Sequence, residues 1–190
     1  MSNWSRLRQA QQVVPDKALF RRYLVVNGFD GALTMLGILS GFALIEDPPI
    51  GTLLGACLGA AVALLMSGLS SAYLSESAEQ KKKLAEIEKA MVRNLHDSHH
   101  GVVAKWTPWL LASVNGLSPF LISLLIVQPL LWKWKVPGLG PVELALALGF
   151  ICIFFLGVFL ARVSKGFWLK SGLKALLVGA AIMLLTQIIQ

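Results

Sequence analysis

The chain has 190 residues, of which 56% are hydrophobic and 14% are charged, and its mean hydropathy is +0.69. This composition is too apolar for a soluble domain of this length and is typical of an integral membrane protein. The net charge of +7 would suggest nucleic-acid binding in a soluble protein. In a membrane protein we expect it to reflect topology instead, with the lipid bilayer and no nucleic acid as partner.

Five apolar runs are each close in length to the ~20 residues that cross a hydrocarbon core of about 30 Å. They are Tyr23–Ile45, Ile50–Ala72, Trp106–Trp132, Pro141–Arg162 and Ser171–Ile189. A bilayer admits only helices and closed barrels, and these runs lack the period-2 alternation of barrel strands. The sequence therefore predicts an all-α integral membrane protein with five transmembrane helices. Cys57 and Cys152 fall inside these runs, so no disulfide is expected.

Lysines and arginines predict the orientation, because cytoplasmic loops carry the excess of positive charge. Five lie in residues 1–22, six lie between the second and third runs, and four lie from the end of the fourth run through the start of the fifth. Only two, Lys133 and Lys135, lie on the other side. The sequence thus predicts a cytosolic N-terminus and an outside C-terminus. The polar start of the chain also argues against a cleavable secretory signal.

The predicted organisation has four segments. Residues 1–22 form a cytosolic arm, 23–74 the first two transmembrane helices, 75–104 a short cytosolic helical arm, and 105–190 the last three transmembrane helices. Small residues recur at four-residue spacing along the second helix, which allows another helix to approach closely. They are Gly51, Gly55, Gly59, Ala63, Ser67 and Ser71, and we interpret this small-residue stripe as a packing surface. In the third helix, Asn115 and Ser118 either bond to neighbouring helices or line a cavity.

Asp30 interrupts the first apolar run. A charge near the middle of a spanning helix costs at least about 2.5–3.5 kcal/mol on insertion scales, so an acid there is by default a functional hypothesis. The alternatives are a structural hydrogen bond to Asn27 or Thr34, or a position shallow enough to reach water. Asp30 lies about 10 Å along the helix from Tyr23, which is deep for so short a side chain. We therefore interpret it as a functional acid.

The segment between the second and third runs has a helix-forming composition. No glycine or proline interrupts residues 69–95, so we expect the second helix to continue directly into it. On a single helix, Glu79, Glu86, Asp97 and His100 share roughly one face, and His96 precedes His100 by four residues. Carboxylates and imidazoles suit divalent transition metals, but Glu79 and Glu86 are about 10 Å apart, too far to share one ion alone. A solvated charged helix, with Glu76 and Glu79 paired to Lys83, and a metal-collecting arm both remain open.

Three stretches carry a resemblance to the vacuolar iron transporter family. "NGFDGALTMLGILSG", residues 27–41, resembles that family's first transmembrane pattern, approximately N-D-G-x-V-T-x-x-G-x-x-x-G. "MSGLSSAYLSESAEQ", residues 66–80, looks like its M-A-x-G-E-Y-x-S-V-x-S-Q segment, and "LKSGLKALLVGAA", residues 169–181, is similar to its L-R-S-G-L-R-x-x-L-I-G. The match to the first pattern comprises Asp30, Gly31, Thr34, Gly37 and Gly41. The chain departs from the family at Ala72, where the family has glutamate, and at Gly68, where it has methionine. Its cytosolic segment is also shorter, which resembles a compact prokaryotic branch of the family and implies a prokaryotic cell membrane.

The resemblance implies a homodimeric transporter that moves Fe²⁺, and to a lesser degree Mn²⁺, out of the cytosol in exchange for protons, with no prosthetic group. It implies that Asp30 alternates between a metal-bound carboxylate and a protonated acid. A thioether from Met66 or Met35 would add a softer ligand. In the cytosolic arm, the ion would be gathered by Glu79, Glu86, His96, Asp97, His99 and His100.

Two other classes of function, an enzyme and a non-transporting interaction protein, are alternatives to transport. An enzyme is not expected, because the sequence has no nucleophile–base pair, no phosphate-binding loop and no zinc-protease signature. A non-transporting dimeric interaction or stress-response protein that reuses the fold remains the alternative.

Overall fold

The computed structural model describes residues 17–45, 48–95, 98–133, 136–164 and 166–189. Five long helices dominate these ranges, and each is long and apolar enough to cross a membrane. This confirms the prediction of an all-α chain compatible with a multi-pass membrane protein. In chain order the helices are α1 (Lys17–Ala43), α2 (Ile50–Met91), α3 (His99–Ile126), the four-residue α4 (Gln128–Leu131), α5 (Pro141–Ser164) and α6 (Trp168–Ile189).

The long helix α2 runs without interruption for 42 residues. It confirms that the second apolar run continues as a helix beyond Ala72. The helix ends at Met91 because Val92 adopts a left-handed backbone conformation, with φ of 50°. The amide of Arg93 then bonds to the carbonyl of Glu88 at 3.2 Å, a bond that closes the helix end as in a Schellman motif.

The segment after this helix end differs from the single helix that the sequence predicted. The Glu88 carboxylate accepts a hydrogen bond from the amide of Leu95 at 2.8 Å, which ties the turn back onto α2. A new helix, α3, begins at His99. The predicted shared face of Glu79, Glu86, Asp97 and His100 is therefore wrong beyond Met91, because His100 lies on the first turn of α3.

The chain divides into two compact units. The described part of unit 1 comprises residues 17–24 and 66–117, and its buried apolar side chains include Leu84, Leu95 and Leu111. Tyr73 and Trp109 pack in this unit with ring centroids 4.5 Å apart.

Unit 2 comprises residues 25–65 and 118–190 and holds the main hydrophobic core. The core is built almost entirely from aliphatic side chains of α1, α2, α5 and α6 and from the residues around α4. Its largest fully buried members include Met35, Leu36, Leu39, Leu53, Ile126, Leu130 and Ile153. Both cysteines are buried thiols in this core, as expected from their place in the apolar runs.

Candidate functional site

The motif at residues 27–41 folds as part of α1, and two of its glycines, Gly28 and Gly31, lie on one side of that helix. A Cβ atom on Gly31 would lie 2.5 Å from the carbonyl oxygen of Pro119 and 2.7 Å from its Cα. A Cβ atom on Gly28 would lie 3.1 Å from a methyl group of Leu156 and 3.3 Å from the Ser118 hydroxyl. This side of α1 thus packs against α3 at backbone distance, and only glycine fits at position 31.

Asp30 lies between these two glycines but on an uncovered side of the helix. Its side chain is exposed, as is that of Val26 one turn earlier. The Thr34 hydroxyl donates a 2.6 Å hydrogen bond to the backbone carbonyl of Asp30, so its proton does not serve the carboxylate. Among the residues that the structure describes, the Asp30 carboxylate has no ion-pair or hydrogen-bond partner. A hydrogen bond from Thr34 therefore does not explain why a carboxylate occurs at position 30.

Glu143 offers an instructive contrast within unit 2. Like Asp30, it is an exposed carboxylate on a helix that is mostly apolar. Unlike Asp30, it lies in the first turn of its helix, α5. There the unpaired amides and the positive end of the helix dipole stabilise a negative charge by about 0.3–1 kcal/mol. Asp30 lies 13 residues into α1 and has no such stabilisation. A spanning helix would have to keep this carboxylate in contact with water, a cation or another protein surface.

The small-residue stripe of α2 is uncovered as well. Cβ atoms built on Gly51, Gly55 and Gly59 meet no atom within 4 Å, and Ala63 is exposed. Further along, the Ser71 hydroxyl bonds to the Ser67 carbonyl of its own helix at 2.7 Å. Among the residues that the structure describes, no atom packs against these three glycines, so this part of the stripe is a smooth, uncovered helix surface.

Unit 1 contains a buried acid that the sequence analysis did not single out. Glu76 is only 9% exposed, and its carboxylate accepts a 2.8 Å hydrogen bond from the Tyr23 hydroxyl. The predicted pairing of Glu76 with Lys83 is therefore not its main contact, whereas the predicted Glu79–Lys83 pair is present at 3.4 Å. Sequence spacing could have indicated this burial, because Glu76 follows the buried Ala72 by one helical turn and so lies on the same side of α2.

For one of the two polar residues singled out in the third apolar run, the structure favours one of the two interpretations. Asn115 is buried, and its amide group donates to the carbonyl of Gly68 at 2.8 Å, which favours the interhelical interpretation over a cavity lining. A Cβ atom on Gly68 would lie 2.8 Å from the Cα of Gly116. The crossing of α2 and α3 therefore excludes a methionine at position 68, the position at which the resemblance places one.

The remaining candidate ligands are dispersed. Met35 is fully buried in the core of unit 2 and lies five residues from Asp30, on a different side of α1, whereas Met66 is 59% exposed in unit 1. Glu79 and Glu86 are exposed on α2, and the exposed rings of His99 and His100 have centroids 6.2 Å apart. His96 and Asp97 lie outside the described residues. In the described ranges, no three His, Cys, Asp or Glu side chains come together as a preformed metal cluster.

Comparisons with known proteins give one distant relative. The chain is 25% identical over 173 residues to an uncharacterized protein of Methanocaldococcus jannaschii, and the alignment covers 89% of this chain and 87% of the archaeal one. No protein-family model matches the chain. No solved structure matches it either. The alignment therefore spans most of both chains.

Proposed function

We propose that this chain is a membrane transporter that exports a divalent transition metal ion, Fe²⁺ or Mn²⁺, from the cytosol in exchange for protons. The observation that supports this most is the uncovered carboxylate of Asp30 within the apolar run of α1. Insertion scales put the cost of such a group at about 2.5–3.5 kcal/mol or more, and a function that needs a charge there explains why it is present. The resemblance of residues 27–41 to the first helix of vacuolar iron transporters supplies the chemical identity of the cargo.

In this proposal two copies of the chain form the working unit. A second copy would cover the two features that one chain leaves open in unit 2, namely Asp30 on α1 and the glycines of the stripe on α2. Small residues let two helix backbones approach closely in lipid, where helix association depends on packing rather than on a hydrophobic driving force. A water-filled path between the copies would then give Asp30 access to ions.

Ion exchange follows from the chemistry of a single carboxylate. Asp30 binds the cation while ionised and binds a proton after the cation leaves, so its carboxylate is not left as an uncompensated anion in the membrane in either state. Of the two candidate thioethers, Met35 is enclosed in the core and Met66 is 59% exposed, so Met66 is the one that an ion outside the core could reach. A thioether favours iron over Mg²⁺ or Ca²⁺.

The cytosolic arm would raise the local concentration of the ion rather than hold it. Glu79 and Glu86 are exposed there, and His99 and His100 begin α3. This role requires the predicted topology, with the N-terminus and the segment after α2 on the cytosolic side.

The test is Fe²⁺ flux into proteoliposomes that contain the purified full chain. Asp30→Asn should abolish flux, and Asp30→Glu should retain part of it because the carboxylate is kept. Glu143→Gln is the matched control, since it removes an exposed carboxylate that the α5 helix end already explains, and its flux should equal that of the wild type.

Size-exclusion elution and helical content must be unchanged for every variant. Full Fe²⁺ flux in Asp30→Asn would contradict the proposal that Asp30 binds the transported ion. Absence of flux in the wild type, with intact dimers, would favour the non-transporting interaction protein instead.

A further inference from the structure

A second feature of unit 2 lies far from Asp30 in the sequence, where α5 ends and α6 begins. A crevice of about 390 Å³ opens there on the surface of the helix pair. Its walls are almost wholly apolar, and it contains one charged side chain. The lining residues are Phe154, Phe155, Val158 and Arg162 of α5, Gly166 of the connection, and Trp168 of α6.

The packing of α5 against α6 fixes the walls of this crevice. A Cβ atom on Gly157 would lie 2.7 Å from the carbonyl oxygen of Ser171, so the two helices touch at backbone distance. A Cβ atom on Gly172 would lie 2.5 Å from the ring of Phe154, which holds that ring against α6. Phe155 extends outward, with its ring edge-on to Phe154 at a centroid distance of 5.9 Å. The crevice is therefore preformed by glycine contacts and has a fixed aromatic wall.

The one charged side chain among the described residues that line the crevice is positive. Arg162 lies in the last turn of α5, is exposed, and has no acidic partner within the described ranges. The regular bonding of α6 begins with the amide of Ser171 on the carbonyl of Phe167, so the amides of residues 168–170 have no acceptor in their own helix. Both features favour an anion at the mouth, because guanidinium and helix N-termini bind phosphate.

The surroundings suggest which anion would occupy it. Phe167 and Trp168 are 58% and 52% exposed, and aromatic side chains of this kind concentrate at the headgroup level of a bilayer. Lys170 and Lys174 are exposed on the same end of α6. Basic pockets between helices at this level bind the headgroups of acidic lipids.

We propose that this crevice binds one acidic phospholipid. An acyl chain lies along Phe154, Phe155 and Val158, and the lipid phosphate binds the Arg162 guanidinium and the free amides at the start of α6. Charge complementarity selects an acidic over a zwitterionic lipid, and the apolar wall selects a lipid over free phosphate. The site does not depend on the ion that the protein carries.

The test is native mass spectrometry of the purified full chain titrated with phosphatidylglycerol or phosphatidylcholine. The wild type should bind one phosphatidylglycerol in preference to phosphatidylcholine. Arg162→Gln should weaken phosphatidylglycerol binding about fivefold and leave phosphatidylcholine binding unchanged, since one basic group near an acidic lipid has an effect of this size. Lys174→Gln is the control, because it removes an exposed charge of α6 that does not line the crevice.

Two further experiments distinguish the contribution of the apolar wall from that of the positive charge. Val158→Trp fills the crevice but keeps Arg162, so it should also weaken phosphatidylglycerol binding, and inorganic phosphate in excess should not displace the lipid. Equal binding of the two lipids by the wild type would overturn the proposal, as would equal effects of Arg162→Gln and Lys174→Gln. Displacement by inorganic phosphate would show that only the anion is recognised.

Discussion

Replacing Gly31 by alanine tests the packing that positions Asp30. In the structure, the Cβ atom of an alanine at position 31 would lie 2.5 Å from the carbonyl oxygen of Pro119, 2.7 Å from its Cα and 3.0 Å from its carbonyl carbon. All three are backbone atoms, so no side-chain rotation relieves the clash. Helices α1 and α3 must separate by about 0.9 Å at this point, from 2.5 Å to the 3.4 Å at which ordinary van der Waals contact begins.

The energetic effect has two opposing terms. Forcing an extra carbon into a close-packed contact costs about 1–3 kcal/mol, and a radial gap of 0.5–1 Å loses a quarter to a half of the dispersion energy of the contacts nearby. Alanine is favoured over glycine in a helix interior by about 1 kcal/mol. Because the separation affects the whole crossing, we expect Gly31→Ala to lower the free energy of unfolding by about 1–2 kcal/mol.

Gly37→Ala on the same helix is the matched control. Its Cβ atom would meet only a methyl group of Ile182 at 3.8 Å, an ordinary contact, so this variant should be as stable as the wild type or slightly more stable. Unfolding in detergent micelles, followed by circular dichroism, measures both variants against the wild type. Equal stability of Gly31→Ala and Gly37→Ala would refute the close approach of α1 and Pro119.

Three other predictions concern unit 1 and the stripe. Tyr23→Phe removes the hydrogen bond to the buried Glu76 carboxylate and should lower the free energy of unfolding by about 1–3 kcal/mol in the same assay. The control Ser70→Ala removes a hydroxyl that bonds within its own helix and should change the stability little. Equal effects of the two variants would contradict the hydrogen bond between Tyr23 and Glu76. Val92→Gly relieves a left-handed backbone conformation at a β-branched residue and should raise stability by about 1 kcal/mol, so a loss would argue against this helix end. Gly55→Ala should weaken dimerisation, measured by light scattering across a dilution series, without lowering helical content; an unchanged dimer would place the stripe outside the interface.

The helices were predictable because each depends on a local run of apolar residues. The five long helices overlap the five predicted runs, although the third ends at Ile126 rather than at Trp132, and the long continuation of α2 beyond Ala72 follows from the lack of glycine and proline. The end of α2 was not predictable by that rule. It falls at Val92, a β-branched and exposed residue in a conformation that usually takes glycine, and the hydrogen bonds of Glu88 hold it there.

Side-chain partners were less predictable, because they depend on contacts between distant parts of the chain. Spacing assigned Glu76 to Lys83, but its partner is Tyr23, 53 residues away in sequence. The sequence marked Asp30 as unusual from composition alone. Which side of α1 it occupies could not be read from periodicity, since most of that helix is apolar on every side. The contacts of Gly28 and Gly31 with distant parts of the chain distinguish the packed side.

The most direct test of the proposed transport is a simultaneous record of Fe²⁺ and proton movement in proteoliposomes. The wild type should couple Fe²⁺ movement in one direction to proton movement in the other, and Glu143→Gln should behave identically. Asp30→Asn should lose both movements together while remaining helical and dimeric, because one carboxylate carries both cations in alternation. Coupled fluxes that persist in Asp30→Asn would contradict the proposal that this acid handles the ion.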